Sequence, residues 1–198
     1  MQLPGREGQI GAPPFADLDA LLPVLGRELE PFFDRPFAFF GHSMGALIAF
    51  ELARALQAAG GAAPMHVFVS GRRAPHLPAT RGPLHALPPG AFEAALRDLE
   101  GTPPEILADE ELMALIGPLL RADLALCETY RHVPRDPLAM PLSVFGGADD
   151  PEATRGDLEA WGSHTRAFAG VRVFSGNHFY LREKTKDVVD EIARVVLS

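Results

Sequence analysis

Four short apolar runs recur along the chain, each bounded by glycine, proline or a polar turn. Runs of this length between turn signals are typical of strands buried on both faces of a parallel sheet. The pattern therefore predicts four strands, in the segments PFAFFG (36–41), PMHVFVSG (64–71), MPLSVFGG (140–147) and VRVFSG (171–176).

Helical spacing of apolar positions separates these runs. Leucines recur on one face between residues 15 and 33, and residues 45–59 are apolar almost all round, which predicts a buried helix. The C-terminal segment KDVVDEIARVVLS (186–198) also places its aliphatic residues on one face. Because strands alternate with helices, we expect an α/β fold with a mostly parallel sheet flanked by helices.

The middle of the chain, residues 74–140, has a different character. Its prolines and glycines separate three predicted helices, near 90–100, 109–117 and 118–131. Pro118 is expected to begin the third helix, after Gly117 ends the second. We interpret this region as a helical lid, inserted at about 76–138 into one domain that spans 1–198. Such an insertion would lie above the strand ends, where α/β proteins place their sites.

Composition narrows the classes of function. The formal charge of −8 argues against nucleic acid as a partner, because phosphate binding needs a basic face. No segment approaches the roughly 18 apolar residues of a membrane span, and the N-terminal MQLPGREGQIG lacks the regions of a secretory signal. A single cysteine, Cys127, makes no internal disulfide and is expected to fill the core. We therefore expect a cytoplasmic protein that does not act on membranes.

The segment Gly41-His42-Ser43-Met44-Gly45 lies between a predicted strand and a predicted helix. A Gly-x-Ser-x-Gly in this context is typical of a nucleophile elbow, a sharp turn that lifts the serine hydroxyl above the sheet. The turn imposes an unfavourable backbone on the serine, and the flanking glycines relieve the crowding. It also aims the free N–H groups of the helix N-terminus at a developing oxyanion. Ser43 is therefore the candidate nucleophile.

A serine nucleophile needs a base, and the base needs a carboxylate that orients it. After an elbow of this kind the chain order is serine, then acid, then histidine. Asp149 and Asp150 follow one predicted strand, and His178 follows the next. Both turns leave the sheet at the same edge as Ser43, so the groups can converge. We favour Asp150 over Asp149 from its position in the turn, while Asp149 fits a turn former or helix cap.

The other six histidines are weaker candidates for the base, because none follows a strand and a glycine as His178 does. They are His42, His66, His76, His85, His132 and His164. His42 adjoins the serine, but neighbouring residues of a turn point apart, so a structural role is expected. No His-x-x-x-His pair or cysteine cluster indicates a metal site, and none is expected.

Several segments together resemble the type II thioesterases that accompany polyketide and nonribosomal peptide synthases, within the α/β-hydrolase superfamily. The resemblance runs over nearly the whole chain, and an elbow alone is shared by many hydrolases. The predicted lid and the stretch around Trp161 are more specific. The segments are QLPGRE (2–7), FGHSMGALIAFELAR (40–54), VSGRRAP (69–75), LEGTPPEILADEELMALIGPLLRADLALCETY (99–130), MPLSVFGGADDP (140–151), LEAWGSHT (158–165) and VFSGNHFYL (173–181).

The resemblance implies hydrolysis of acyl or aminoacyl thioesters from the phosphopantetheine of a carrier protein, with no cofactor of the enzyme's own. On this chain it implies Ser43 as nucleophile, His178 as base, Asp150 as orienting acid and the backbone N–H of Met44 as an oxyanion donor. The implied partners are acyl or peptidyl carrier domains of a synthase, and the implied task is the editing or release of stalled chains. The enzyme is expected to act as a monomer.

Docking of a carrier protein is expected to use local patches, because carrier proteins tend to be acidic and this chain has a charge of −8. Arg72, Arg73 and Arg121 are candidates for a basic patch. Arg121 has an alternative role in a salt bridge inside the lid.

The start of the chain departs from the family pattern. Only 42 residues precede Ser43, whereas family members carry further strands there. We therefore expect N-terminal strands to be missing, together with the loop that supplies a second oxyanion donor, and the sequence to be a fragment or to begin at a misplaced start. The strand at 36–41 would then be an exposed apolar sheet edge. Two alternatives stay open: a catalytically silent remnant that binds carrier proteins, and a general carboxylester hydrolase.

Overall fold

The computed structural model describes residues 2–197, which form two compact units. The sheet unit comprises Leu22–Pro78 and the described residues from Arg131 onward. The helical unit comprises the described residues up to Leu21 together with Ala79–Tyr130. The expectation of a single domain with a lid at about 76–138 stays a prediction.

The sheet unit is built on four parallel strands in the spatial order β1-β2-β3-β4. They are β1 (Ala38–His42), β2 (His66–Ser70), β3 (Leu142–Gly147) and β4 (Phe168–Phe174). The four predicted strands and the parallel α/β class are therefore confirmed. Within the described residues β1 pairs with β2 alone, and Phe40 on β1 is 41% exposed.

Helices follow the strands, as the alternation of patterns predicts. Those in the described chain are α1 (Leu18–Leu29), α2 (Met44–Ala59), α3 (Pro89–Asp98), α4 (Pro104–Leu107), α5 (Glu110–Thr129), α6 (Arg155–Glu159) and α7 (Leu181–Val196), with 3₁₀ turns at Glu7–Gln9, Glu30–Phe32 and Ala160–His164. No helix of residues 2–197 has both the length and the apolar character needed to cross a bilayer.

Successive side chains of β2 point to opposite faces of the sheet, as the two-residue period of a strand requires. Val67 and Val69 pack with Phe50 of α2 and with Trp161 in one buried cluster. Phe68 packs in a second cluster with aromatic residues of the later strands and with Val188 of α7. Burial of each such side chain stabilises the fold by roughly 1.5–3 kcal/mol. The two clusters hold a helix on each face of the sheet and align the carboxyl ends of the strands.

The helical unit contains α3, α4 and α5. The prediction of two helices that meet at Gly117 and Pro118 is wrong, because α5 continues through both residues. Proline inside a helix removes one backbone hydrogen bond. However, Met113 before the proline and Leu120 after it pack against the same buried cluster, and this shared burial favours one continuous helix.

Candidate active site

Ser43 lies in the turn between β1 and α2, with φ 53° and ψ −112°. A positive φ is uncommon for a residue other than glycine, and it persists only where the surrounding structure holds it. The backbone N–H of Ser43 donates to the carbonyl of Ser70 at the end of β2, with N and O 2.8 Å apart. A Cβ at Gly41 would overlap the carbonyl of Gly45, so only glycine fits this side of the turn. The strained strand-turn-helix geometry of an elbow is therefore present.

Met44 is the first residue of α2. The first N–H groups of an α-helix have no partner within the helix, and they carry the positive end of its dipole. The first hydrogen bond across the turn is from Ala46 N–H to the carbonyl of Ser43, at 3.1 Å. The N–H of Met44 is thus placed next to the serine as a donor that the helix does not use.

The loops that follow β3 and β4 are joined to each other by backbone contacts. Ala148 N–H donates to the carbonyl of Phe174 at 2.8 Å, and Asp149 N–H donates to the carbonyl of Gly176 at 3.0 Å. At Gly147 a side chain would overlap the carbonyls of Gly176 and Asn177. The absence of a side chain there allows the two loops to lie directly against each other.

These joined loops bring Asp150 and His178 together. Nδ1 of His178 donates to Oδ2 of Asp150 at 2.8 Å, and Glu152 N–H donates to Oδ1 at 2.8 Å. The Asp150 side chain is completely buried, and that of His178 is 16% exposed. The neighbouring Asp149 is exposed. With its proton on Nδ1, the imidazole has Nε2 available to accept a proton.

The elbow and the histidine are adjacent in space. The ring centroid of His178 lies 4.9 Å from that of His42, the residue before Ser43. Within residues 2–197 the Ser43 hydroxyl forms no hydrogen bond to the imidazole. Hydrogen bonds of this kind are often formed only once substrate is bound. Of the sequence-predicted residues, the structure therefore joins Asp150 to His178 directly and places Ser43 beside them.

Two residues of this region were not singled out from the sequence. Ser70 Oγ lies 2.8 Å from Nδ1 of His42 and 2.6 Å from the phenol oxygen of Tyr180. Burial raises the pKa of Tyr180 to about 12, with the negative charge of Asp150 acting in the same direction. Ser70 ends an apolar strand and Tyr180 precedes a helix, so neither position carries a sequence signal for a buried polar contact.

His42 is also more than a turn residue. Burial is the largest influence on its pKa, which is lowered to about 4, and repulsion from His178 acts in the same direction. The imidazole of His42 is therefore neutral near pH 7. The structural role expected for His42 from turn geometry stays a prediction, and the structure adds that its ring lies against that of His178.

Three further histidines of the sheet unit form a separate cluster. Nδ1 of His76 lies 2.7 Å from Nε2 of His164, and the His132 ring centroid is 5.0 Å from that of His164. Burial, followed by repulsion from the other two histidines and from Arg54, lowers the pKa of His164 to about 4. Among the described residues, no group of three or more histidine, cysteine, aspartate or glutamate side chains has an arrangement that could hold a metal ion.

The arginines considered for docking make contacts within their own units. Arg121 donates to the carbonyls of His85 and Leu87, both at 2.8 Å, and its guanidinium lies 3.8 Å from the ring centroid of Phe92. Arg73 donates to a carboxylate oxygen of Asp157 at 2.8 Å. Arg121 thus ties the loop before α3 to α5 through backbone carbonyls rather than through a salt bridge.

A parallel sheet, a strained serine turn and an acid–histidine pair in the loops after later strands together define an α/β-hydrolase. A solved structure of the type II thioesterase BorB, from the borrelidin biosynthetic cluster, agrees with this class. It superposes with a TM-score of 0.87 at 38% identity, over 98% of this chain and 79% of that one.

Within that class the chain belongs to the thioesterase family, because the model of the thioesterase domain matches residues 1–196. It is 42% identical to the protein named linear gramicidin dehydrogenase LgrE of Brevibacillus parabrevis, over 100% of this chain and 76% of that protein. It is 40% identical to the gramicidin S biosynthesis protein GrsT of Aneurinibacillus migulanus, over 96% of this chain and 74% of that protein. The protein is therefore a thioester hydrolase.

Proposed function

We propose that this thioesterase removes acyl or aminoacyl groups from the phosphopantetheine arm of synthase carrier domains, with Ser43, His178 and Asp150 as its catalytic residues. The observation that carries the residue assignment is the 2.8 Å hydrogen bond between His178 and Asp150, beside the strained turn at Ser43. The choice of substrate is supported by relatives from the biosynthesis of gramicidins and borrelidin.

Acylation begins when Oγ of Ser43 attacks the thioester carbonyl carbon and Nε2 of His178 takes the hydroxyl proton. Asp150 holds the imidazole by its Nδ1–H and stabilises the imidazolium that forms. The N–H of Met44 donates to the oxygen that becomes negative. The carbon–sulfur bond then breaks, His178 returns the proton to the leaving sulfur, and the acyl group remains as an ester on Ser43.

Deacylation uses the same groups, with water as the nucleophile and Oγ of Ser43 as the leaving group. A water molecule attacks the ester while His178 takes one of its protons, and that proton passes to Oγ of Ser43 as the free acid leaves. A thiol with a pKa of ~8.5 is a far better leaving group than an amine. Attack and oxyanion stabilisation are therefore the demanding parts of acylation, and loss of one oxyanion donor in such sites costs ~10²–10³ in rate.

The proposed partner is an acyl or peptidyl carrier domain, and the proposed role is the release of stalled or incorrect chains. The enzyme acts as a monomer in the cytoplasm and uses no metal or cofactor of its own. Arg121 and Arg73 are engaged inside their units, so docking is proposed to depend on other surface groups.

The test is hydrolysis of a carrier protein loaded with a radiolabelled acyl group, compared with an oxoester of the same acid. Wild-type protein is expected to release the acid from the carrier thioester, and Ser43→Ala is expected to reduce release to background. Ser163→Ala is the matched control, because Ser163 is exposed and its hydroxyl donates only to a carbonyl of its own turn. Faster turnover of the oxoester would favour a general carboxylester hydrolase instead. Binding of the carrier without turnover by wild-type protein would favour a silent remnant.

A further inference from the structure

A chain of three polar side chains lies directly behind the elbow. Nδ1 of His42 is 2.8 Å from Oγ of Ser70, which is 2.6 Å from the phenol oxygen of Tyr180. The three residues come from the end of β1, the end of β2 and the position before α7. Ser70 is 0% and Tyr180 2% exposed. Buried polar groups cost free energy unless each is paired, so this arrangement needs a physical reason.

The direction of the hydrogen bonds follows from counting donors and acceptors. If the phenol donates to Ser70 and Ser70 donates to Nδ1 of His42, only the Nε2–H of His42 is left without a partner. The opposite direction leaves the phenol O–H without an acceptor and Nε2 without a donor. In the described part of the chain the phenol has no other hydrogen bond, and Nε2 is buried with no partner at ordinary hydrogen-bond geometry. The backbone of His178 nevertheless acts on the His42 ring as a hydrogen-bond partner and raises its pKa, as expected if the ring donates from Nε2. The first direction leaves fewer unpaired groups, so His42 is the Nε2–H tautomer.

Three neighbours approach the His42 ring closely. The edge of the Tyr180 ring meets it at a centroid distance of 5.8 Å and an angle of 81°. Gly71, at φ 57°, lies so close that a Cβ there would overlap the imidazole. The ring of His178 is the third, at a centroid distance of 4.9 Å and an angle of 43°. His42 cannot rotate away from His178 without breaking its bond to Ser70.

The charge on His42 matters because His178 becomes an imidazolium during turnover. The titratable groups that influence His42 are His178 and Asp150, and Tyr180 packs against its ring. Burial first, and repulsion from His178 second, lower the pKa of His42 to about 4, while Asp150 acts in the opposite direction. A neutral His42 can therefore lie against the imidazolium without strong repulsion.

We propose that His42 is a positioning residue, which Ser70 and Tyr180 hold as a fixed neutral imidazole and which in turn fixes the ring orientation of His178. This inference rests on the proposed function, in which His178 is the base. It assigns the buried Ser70–Tyr180 pair a purpose: the pair sets the tautomer and rotation of the ring that His178 packs on. Small errors in the orientation of a catalytic base are costly, since misplacement by about 1 Å can reduce a rate ~10²-fold.

The experiment compares Tyr180→Phe, His42→Phe and the double variant in thioester hydrolysis. Tyr180→Phe removes one oxygen and keeps the ring that stacks on Phe174 at 5.4 Å. We expect a fall in kcat of about 3- to 10-fold at unchanged KM, because ground-state binding is not altered. Because Tyr180 acts through His42, its substitution is expected to have no further effect in the His42→Phe background. His42→Gln, which keeps an acceptor and a donor, is expected to retain more of kcat than His42→Phe.

A second measurement does not depend on turnover. Proton NMR of the Nδ1–H of His178 reports its hydrogen bond to Asp150, and Tyr180→Phe and Ser70→Ala are expected to shift or broaden this resonance. Ser163→Ala is the control and is expected to leave it unchanged. The resonance can be observed only in folded protein, so its presence also shows that a variant has folded.

The outcomes separate the inference from the function on which it rests. If Ser43→Ala abolishes turnover while Tyr180→Phe and Ser70→Ala change neither kcat nor the His178 resonance, the proposed function stands and the positioning role is refuted. Additive effects of Tyr180→Phe and His42→Phe, or an effect on KM alone, also refute it. If Ser43→Ala retains turnover, the proposed function itself fails.

Discussion

Asp150 binds His178 with one carboxylate oxygen while its other oxygen accepts the backbone N–H of Glu152. Both distances are 2.8 Å, and the side chain of Asp150 is wholly buried. A carboxylate held by two donors in this way cannot turn without breaking one of them. It therefore fixes both the proton on Nδ1 of His178 and the plane of that ring.

Replacement of Asp150 by asparagine tests this role. Asp150→Asn keeps the shape of the side chain but can present an N–H to Nδ1, which favours the wrong tautomer of His178. We expect kcat for thioester hydrolysis to fall by about 10²–10⁴. Asp149→Asn is the matched control, because Asp149 is exposed, and its kcat is expected to stay within about twofold of wild type. A larger loss in Asp149→Asn than in Asp150→Asn would reverse the assignment of the acid.

The two glycines of the elbow are expected to differ sharply in their tolerance of alanine. A Cβ at Gly41 would overlap the carbonyl of Gly45, whereas a Cβ at Gly45 has open space around it. Gly41→Ala is expected to lower the free energy of unfolding by about 3 kcal/mol or more, because the backbone of the turn must move. Gly45→Ala, in the first turn of α2, is expected to raise it by up to about 1 kcal/mol. Urea denaturation of both variants measures the difference, and equal effects would contradict the close approach.

The continuity of α5 can be tested at Pro118. Inside a helix proline removes a hydrogen bond to the preceding turn and crowds its carbonyl, at a cost of about 3 kcal/mol. Pro118→Ala is therefore expected to raise the thermal midpoint of unfolding, by an amount that corresponds to about 1–3 kcal/mol. If Pro118 instead began a separate helix, the same substitution would be neutral or destabilising, because proline is favourable at that position.

The stability of the fold is expected to fall in mild acid. Burial is the main cause of the pKa of about 4 at both His42 and His164, whereas an unfolded histidine has a pKa of ~6.5. At a pH between these two pKa values, the unfolded chain binds more protons than the folded one. For the two histidines together, this difference approaches about two protons. The free energy of unfolding therefore decreases as pH falls from ~6.5 towards ~4, and these groups have no effect on it above that window.

The contribution of His164 to this pH dependence can be isolated by substitution. His164→Gln cannot bind a proton, so its free energy of unfolding is expected to depend on pH less steeply than that of wild type, by about one proton within the same window. Urea unfolding at a series of pH values from about 7 to about 5 measures both slopes. Parallel slopes in the two proteins would show that His164 titrates normally in the folded state.

Sequence patterns were sufficient to predict the four strands of the sheet and to place Asp150 and His178 in neighbouring turns. The apolar runs of β2 and β3 became strands buried on both faces, as Val67 and Phe68 show. The runs of β1 and β4 also became strands, but they are only partly buried. Asp150 and His178 were placed in neighbouring turns by chain order alone, and parallel strands bring such turns to one edge. Their direct contact in the structure follows from that topology.

Other features depend on contacts that a linear pattern does not contain. Pro118 has the local signature of a helix start. However, residues before and after it pack against the same buried cluster, and this packing favours one continuous helix. Ser70 and Tyr180 are ordinary residues within apolar segments, 110 positions apart in the sequence. Only the folded chain shows that their hydroxyl oxygens lie 2.6 Å from each other. The contacts of His42 with Ser70 and with the ring of His178 likewise become visible only in the folded chain.

The direct contact between Gly147 and the backbone after β4 has a mechanical consequence. Together with the backbone hydrogen bonds made by Ala148 and Asp149 directly after it, this contact makes the two loops move as one piece. A displacement that carries Asp150 carries His178 with it, and the spacing of acid and base is preserved while their joint position relative to Ser43 can change. Thermal motion at this edge of the sheet therefore modulates the approach of the base to the hydroxyl and leaves the proton of His178 on the same nitrogen.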